Sequence, residues 1–228
     1  MKNIVVLTGA GISAESGLKT FRDSNGLWEG HDVMEVATPE GFQKNPELVL
    51  EFYNQRRRQL LTVEPNAAHK ALADLETYFI VDIVTQNVDD LHERGGSSNV
   101  LHLHGELLKA RSVNTENEIF DCRKDILLGD TCVNGYQLRP HIVWFGEAVP
   151  LLENAIKITE KADCLIIIGT SMQVYPAASL IDFVSVDTPI YFVDPKPAIS
   201  SDERRNLTVI SENAVIGVPT LVASLIDR

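Results

Sequence analysis

A chain of 228 residues with 44% hydrophobic and 23% charged residues has the size and composition of one globular unit with a substantial core and room for a smaller lobe. Its net charge of −12 and pI near 4.9 argue against a nucleic-acid binder, which would present clustered Lys and Arg to phosphates; an acidic surface suits basic protein partners or serves solubility alone. Three cysteines, Cys122, Cys132 and Cys164, are too few and too scattered for a disulfide framework and point to a reducing, cytoplasmic setting.

The first apolar run, 4–7, is too short for a signal-peptide core or a membrane span, so no membrane partner is expected, and 3–8 reads as a buried strand. Further Val- and Ile-rich runs at 79–85, 100–104, 164–169 and 190–193 have the look of central strands covered by helices on both faces. Helix-like stretches fall at 46–61, 67–76, 151–161 and 177–184. This alternation predicts an α/β fold with a Rossmann-like, doubly wound parallel sheet. The stretches 27–61 and 107–139 break the rhythm, and their length predicts a smaller inserted lobe. No repeat, low-complexity tract or flexible linker is visible.

Ligands of doubly wound sheets bind at the carboxyl ends of the strands, so the residues after each strand carry the interest. After the first come Gly9-Ala10-Gly11-Ile12-Ser13-Ala14, a G-x-G-x-x-A spacing that lets backbone amides approach a pyrophosphate and equally serves tight packing. Asn87-Val88-Asp89-Asp90 can cap a helix whatever else it does. Most of the six histidines are expected on the surface or satisfied in the core; His104 stands out because Gly105 follows it at a strand end, while His102, two residues earlier on the same face, reads as structural.

Five ordered segments resemble the sirtuin family: Gly9 to Gly17 with Thr20-Phe21-Arg22 and Gly26-Leu27-Trp28; Thr85-Gln86-Asn87-Val88-Asp89-Asp90-Leu91-His92; His102-Leu103-His104-Gly105-Glu106; Leu138 to Glu147; and Gly169-Thr170-Ser171 with Val174 and Pro176. The resemblance covers nearly the whole chain. It implies a single catalytic domain over 1–228, with a large NAD-binding lobe of about 1–26, 62–106 and 146–228 and a small lobe of about 27–61 and 107–145. It also implies an enzyme that consumes NAD while removing acyl groups from the lysines of protein substrates, leaving nicotinamide and 2′-O-acyl-ADP-ribose.

Carried over residue by residue, the resemblance makes His104 the catalytic base. Gly9, Ala10, Gly11, Glu15 and Trp28 join the cofactor loop, with Thr20, Phe21 and Arg22 closing over the nicotinamide-ribose side. Gln86, Asn87 and Asp89 serve ribose hydroxyls and the carboxamide, and Gly169, Thr170 and Ser171 face the adenosine half. Asp194, where many sirtuins carry Asn, and Ala214, whose plainer reading is a surface turn, complete the adenosine side. Phe145, Gly146, Glu147 and Val174 would bracket the peptide as an added strand.

Two departures matter. The two C-x-x-C pairs expected for a structural zinc are missing, so no metal is expected and apolar packing by Ile119, Phe120, Ile126 and Leu127 is expected to hold the small lobe instead. In Phe52-Tyr53-Asn54-Gln55-Arg56-Arg57-Arg58, Tyr53 and Arg56 share a helix face. They are similar to the Tyr-x-x-Arg of the class III branch that removes succinyl and malonyl groups, a branch that Ala14 also suits. Three consecutive arginines otherwise read as a solvated face. Rival readings are a dinucleotide oxidoreductase, an ADP-ribosyltransferase and a non-catalytic NAD sensor.

Overall fold

The computed structural model describes residues 1–19, 27–28, 30–114 and 118–227. In chain order the elements are β1 (Asn3–Thr8), a 3-10 segment (Ala10–Ser16), β2 (Leu27–Trp28), β3 (His31–Asp32), α1 (Val33–Val36), α2 (Pro39–Lys44), α3 (Pro46–Leu60), α4 (Ala67–Leu75), β4 (Ile80–Thr85) and α5 (Leu91–Arg94). They continue with β5 (Val100–His102), β6 (Gly105–Ser112), β7 (Ile119–Asp121), β8 (Leu138–Ile142), α6 (Leu152–Thr159), β9 (Cys164–Ile168), a 3-10 segment (Ala177–Phe183), β10 (Ile190–Val193), β11 (Leu207–Ile210) and α7 (Ala214–Ile226).

Six strands form one parallel sheet in the order β11-β10-β9-β1-β4-β5, the doubly wound Rossmann arrangement expected from the sequence. Successive side chains of β1 alternate between two cores, as strand geometry requires. Ile4 and Val6 pack with Leu72 and Leu75 of α4 and Val218 and Leu221 of α7. Val5 and Leu7 pack with Ala155 of α6 and Leu180. Helices therefore cover both faces, and every residue of β9 is buried.

Strand β11 and helix α7 are additions to the elements expected. Asn213 stands at the N-cap position, without a side-chain capping bond, of an α7 that contains Gly217 and Pro219, two residues that lower helix propensity. Tertiary contact overrides them, because a Cβ on Gly217 would come within 2.6 Å of Val193 Cγ1. Ala214 is thus not in a surface turn but in the first turn of this helix, in the core.

The second lobe contains the antiparallel sheet β7-β6-β8 with α1, α2 and α3 against it. Its packing differs from expectation: Ile119, Phe120 and Leu127 are exposed. Of the four candidates only Ile126 is buried, in a small cluster with Leu50, Ala110 and Cys122. Polar bonds supplement that cluster. Asn54 donates to the Ile126 carbonyl and accepts from its N–H, both at 2.9 Å, and Arg57 donates to Asn54 and to the Leu107 carbonyl. Among the described residues no group of three or more His, Cys, Asp or Glu side chains is placed to hold a metal, and no helix is long and apolar enough to cross a membrane.

Candidate functional site

The sheet order reverses beside β1, whose neighbours β4 and β9 lead outward in opposite directions, and this is where such sheets open a crevice. The loops after β1 and β9 interlock there. Gly9 N–H donates to the Ile168 carbonyl and Gly11 N–H to the Gly169 carbonyl. A Cβ on Gly11 would lie 2.5 Å from Gly169 Cα, so only glycine permits this approach, and the tight-packing reading of the turn holds in full. Gln86 Nε2 reaches across to Thr170 Oγ1 at 3.2 Å. Above this floor lies a cavity of about 320 Å³, walled on the far side by the second lobe.

His104 faces the cavity because the chain changes sheets at that point. Strand β5 ends at His102, two residues earlier than expected, and Gly105 begins β6 with φ +81°, where a Cβ would meet the His141 carbonyl at 2.1 Å. The backbone carbonyl of His104 accepts from Val143 N–H at 2.9 Å. Its ring Nδ1 lies 3.0 Å from the Gln86 carbonyl, and since a carbonyl only accepts, Nδ1 carries the proton and Nε2 is the basic atom. Burial lowers the pKa of this imidazole, opposed by the Gln86 bond. His102 performs the same anchoring one residue on: Nδ1 bonds the Asn87 carbonyl and Nε2 sits 2.8 Å from Glu93, which fits its structural reading. Burial opposes a charge on His102, but Glu93 outweighs it and raises its pKa.

Under the cavity a polar chain links residues that the sequence treated separately. Ser13 donates to Asp89 and accepts from Asn87 Nδ2. Asn87 N–H reaches Thr85 Oγ1, which accepts from Thr8 Oγ1, itself 3.0 Å from His92 Nε2. Burial pushes the Asp89 carboxyl up to about 6, against the pull of its bonds from Leu91 N–H and Ser13. Asp89 Oδ1 accepts the Leu91 N–H as an Asx turn just ahead of α5, whose N-cap Asp90 makes no side-chain capping bond.

Of the residues expected to bind cofactor, Gly9, Ala10, Gly11, Trp28, Gln86, Asn87, Asp89, Gly169, Thr170 and Ser171 line the cavity together with His104. Glu15 is exposed outside it. Asp194 is buried at the end of β10, bonding the Lys196 N–H at 2.8 Å, and neither it nor Ala214 is among the lining residues. Thr20, Phe21 and Arg22 lie outside the described residues. Tyr53, Arg56, Phe145, Gly146, Glu147 and Val174 all line the same cavity.

The three arginines of α3 do not form a solvated face. Arg56 turns to the cavity, its guanidinium carbon 3.6 Å from the Phe52 ring centroid and 5.9 Å from that of Trp28. Arg57 is fully buried and spans the second lobe, while Arg58 stays outside with Glu51 and Asp125. The Glu147 carboxylate is engaged within the protein, because Arg139, Arg111 and Trp144 N–H all converge on it, while the residue still lines the cavity. Ser13 and Trp144 were missed as site residues although both stand inside segments that the sequence singled out. Nothing in their type marks them; Ser13 shows itself through Asp89 and Trp144 through Tyr53.

Residues 9–176, which carry nearly all of these side chains, match the model of the Sir2 family. The chain belongs to that family, the sirtuins. It is 60% identical to the NAD-dependent protein deacylase of Helicobacter pylori (strain ATCC 700392 / 26695), with 100% of this chain and 99% of the relative covered. It is 51% identical to the NAD-dependent protein deacylase of Bacteroides thetaiotaomicron, with 99% of each covered. Among solved structures, a Sir2 homolog–NAD complex superposes with a TM-score of 0.89 at 39% identity, covering 98% of this sirtuin and 89% of that chain. A Sir2 bound to acetylated peptide superposes with a TM-score of 0.78 at 28% identity, covering 98% and 92%.

Proposed function

We propose that this sirtuin is an NAD-dependent protein-lysine deacylase of the class III kind, removing succinyl and malonyl groups as well as acetyl. The coarser activity, NAD-dependent protein deacylation, follows from family membership and from relatives that match over nearly their full length. The acidic-acyl preference is carried by one observation: Tyr53 and Arg56, from one face of α3, line the same cavity as His104. Arg56 presents a planar fork matched to a carboxylate, and Tyr53 adds a hydroxyl donor. The aromatic walls of Phe52 and Trp28 around Arg56 lower the local polarity, so a charge there favours a counter-charge in the ligand.

NAD is the co-substrate. The crevice beside β1, the glycine contact of Gly11 with Gly169 and the donors of Ser13, Gln86 and Asn87 suit a dinucleotide. The acyl oxygen would attack C1′ of the nicotinamide ribose and expel nicotinamide. His104 Nε2 would then take a proton through the ribose hydroxyls, freeing the 2′-oxygen to attack the acyl carbon. The large lobe would hold NAD and the lobe built on β6 would hold the peptide alongside Phe145, Gly146 and Val174. The free Cys122, Cys132 and Cys164 fit a reducing, cytoplasmic setting. An ADP-ribosyltransferase would use the same first step and differ in its acceptor.

Acetyl-, succinyl- and malonyl-lysine peptides incubated with and without NAD test the reading. We expect NAD-dependent removal of all three groups, with 2′-O-acyl-ADP-ribose in the mass spectrum. Failure to act on succinyl- and malonyl-lysine would refute the acidic-acyl preference, and ADP-ribosylated protein as main product would favour the transferase.

A further inference from the structure

Tyr53 does not act by itself. Its oxygen accepts a hydrogen bond from Trp144 Nε1 at 3.0 Å, and both residues are buried. A phenol has one proton to give. With Trp144 filling an acceptor site, and no acceptor for the Tyr53 proton among the described residues, that proton is left for a ligand in the cavity Tyr53 lines. Burial raises the Tyr53 pKa, against the Trp144 bond, so the hydroxyl stays protonated.

The indole is itself held on several sides. The Arg139 guanidinium carbon lies 3.3 Å from its ring centroid, and the Phe42 ring packs at 5.2 Å. Trp144 N–H donates to Glu147 Oε2 at 2.7 Å. The same carboxylate accepts two bonds from Arg139, at 2.7 and 3.1 Å, and two from Arg111, at 3.2 and 3.3 Å. One buried-facing acid therefore fixes both the backbone of Trp144 and the cation stacked on its ring. Such a clamp leaves the indole N–H one direction in which to point, towards Tyr53.

We propose that Trp144 is a positioning residue for acyl selectivity, holding the Tyr53 hydroxyl as a hydrogen-bond donor towards the distal carboxylate of an acidic acyl chain. This inference rests on the Tyr53 and Arg56 reading above. Acetyl-lysine has no distal carboxylate, so only acidic substrates gain from the arrangement. Without the indole N–H the hydroxyl rotates and hydrates freely, and donation to the ligand loses its preorganisation.

Steady-state kinetics on acetyl-, succinyl- and malonyl-peptides of one sequence test it, using wild type, Trp144→Phe, Tyr53→Phe and the double variant. The succinyl-to-acetyl ratio of kcat/KM is expected to fall about tenfold in Trp144→Phe, mainly through KM of the acidic substrates. The double variant should fall no further than Tyr53→Phe alone, because both remove one shared device. A ratio within about twofold of wild type in folded Trp144→Phe, or additive losses in the double variant, overturns the inference. If Arg56→Met still loses acidic substrates in that case, the acidic-acyl reading stands; a wild type inert towards succinyl-lysine ends both. Should Trp144→Phe not fold, wild-type NMR decides: the indole N–H of Trp144, one of two tryptophans, should shift with succinyl-peptide and not with acetyl-peptide. Equal shifts with the two peptides, or none, overturn the inference.

Discussion

His104 and Gln86 are joined by a single bond of 3.0 Å between the imidazole Nδ1 and a main-chain carbonyl, and that bond decides which ring nitrogen can accept a proton. The neutral ring needed for base chemistry is favoured by burial, which lowers the pKa against the opposing Gln86 bond. Protonation by acid removes the base, so activity falls as pH drops, and the His104 limb of a kcat/KM profile should lie below the ordinary imidazole range. His104→Ala should retain NAD binding while deacylation falls by about 10²- to 10⁴-fold. Turnover close to wild type in that variant would remove His104 from the mechanism.

Asp89 offers a trade between stability and activity. Its carboxyl is raised from 3.8 to about 6 by burial, despite bonds from Leu91 N–H and Ser13. A raised folded pKa favours the protonated native state, so stability is lost as pH rises from the unfolded pKa towards about 6. At pH 7.5 the buried charge costs on the order of 3 kcal/mol. Asp89→Asn should therefore stabilise the fold at pH 7.5 by about 1–3 kcal/mol, with the gain fading towards pH 4, while NAD-dependent activity drops. Thermal melts at the two pH values check the sign; a variant less stable than wild type at pH 7.5 would contradict the assignment.

The three adjacent arginines should behave differently despite identical chemistry. Arg56→Met should lose desuccinylation and demalonylation far more than deacetylation, since only the acidic groups need its charge. Arg57→Met leaves acceptors on Asn54 and Leu107 short of a donor, at about 1–3 kcal/mol for each one left buried and unsatisfied. It should lower the melting temperature without changing acyl preference. Arg58→Ala, at the exposed surface, should do neither. Equal loss of acetyl and succinyl turnover in Arg56→Met would show that the residue is not a selectivity device.

The second lobe should hold without zinc. We expect far less than one zinc per purified chain and no change of melting temperature with a chelator. Asn54→Ala, by contrast, should cost roughly 2–4 kcal/mol, because it strips partners from Ile126 and Arg57 at once. One equivalent of zinc by elemental analysis, or unfolding on chelation, would overturn the prediction.

The sequence by itself determined the α/β class, the strand at 3–8, the order of the chemistry-bearing loops and the candidacy of His104. These are local or repetitive signals: continuous Val and Ile runs mark strands buried on both faces, and glycine after a strand marks a tight turn. Tertiary structure alone decided how residues far apart in sequence share their polar groups. The sequence could not say that Arg56, Arg57 and Arg58 would go to a cavity, a core and the solvent, because helical rotation assigns directions but not what lies there. Nor could it show that the Glu147 carboxylate would be shared by Arg139, Arg111 and Trp144, or that Ile119 and Phe120 would lie exposed on β7. Helix α7 formed through Gly217 and Pro219 because close packing on β10 outweighs local propensity. Hydrophobic period records which face a residue turns, whereas a hydrogen bond needs its partner's position, and only the folded chain supplies that.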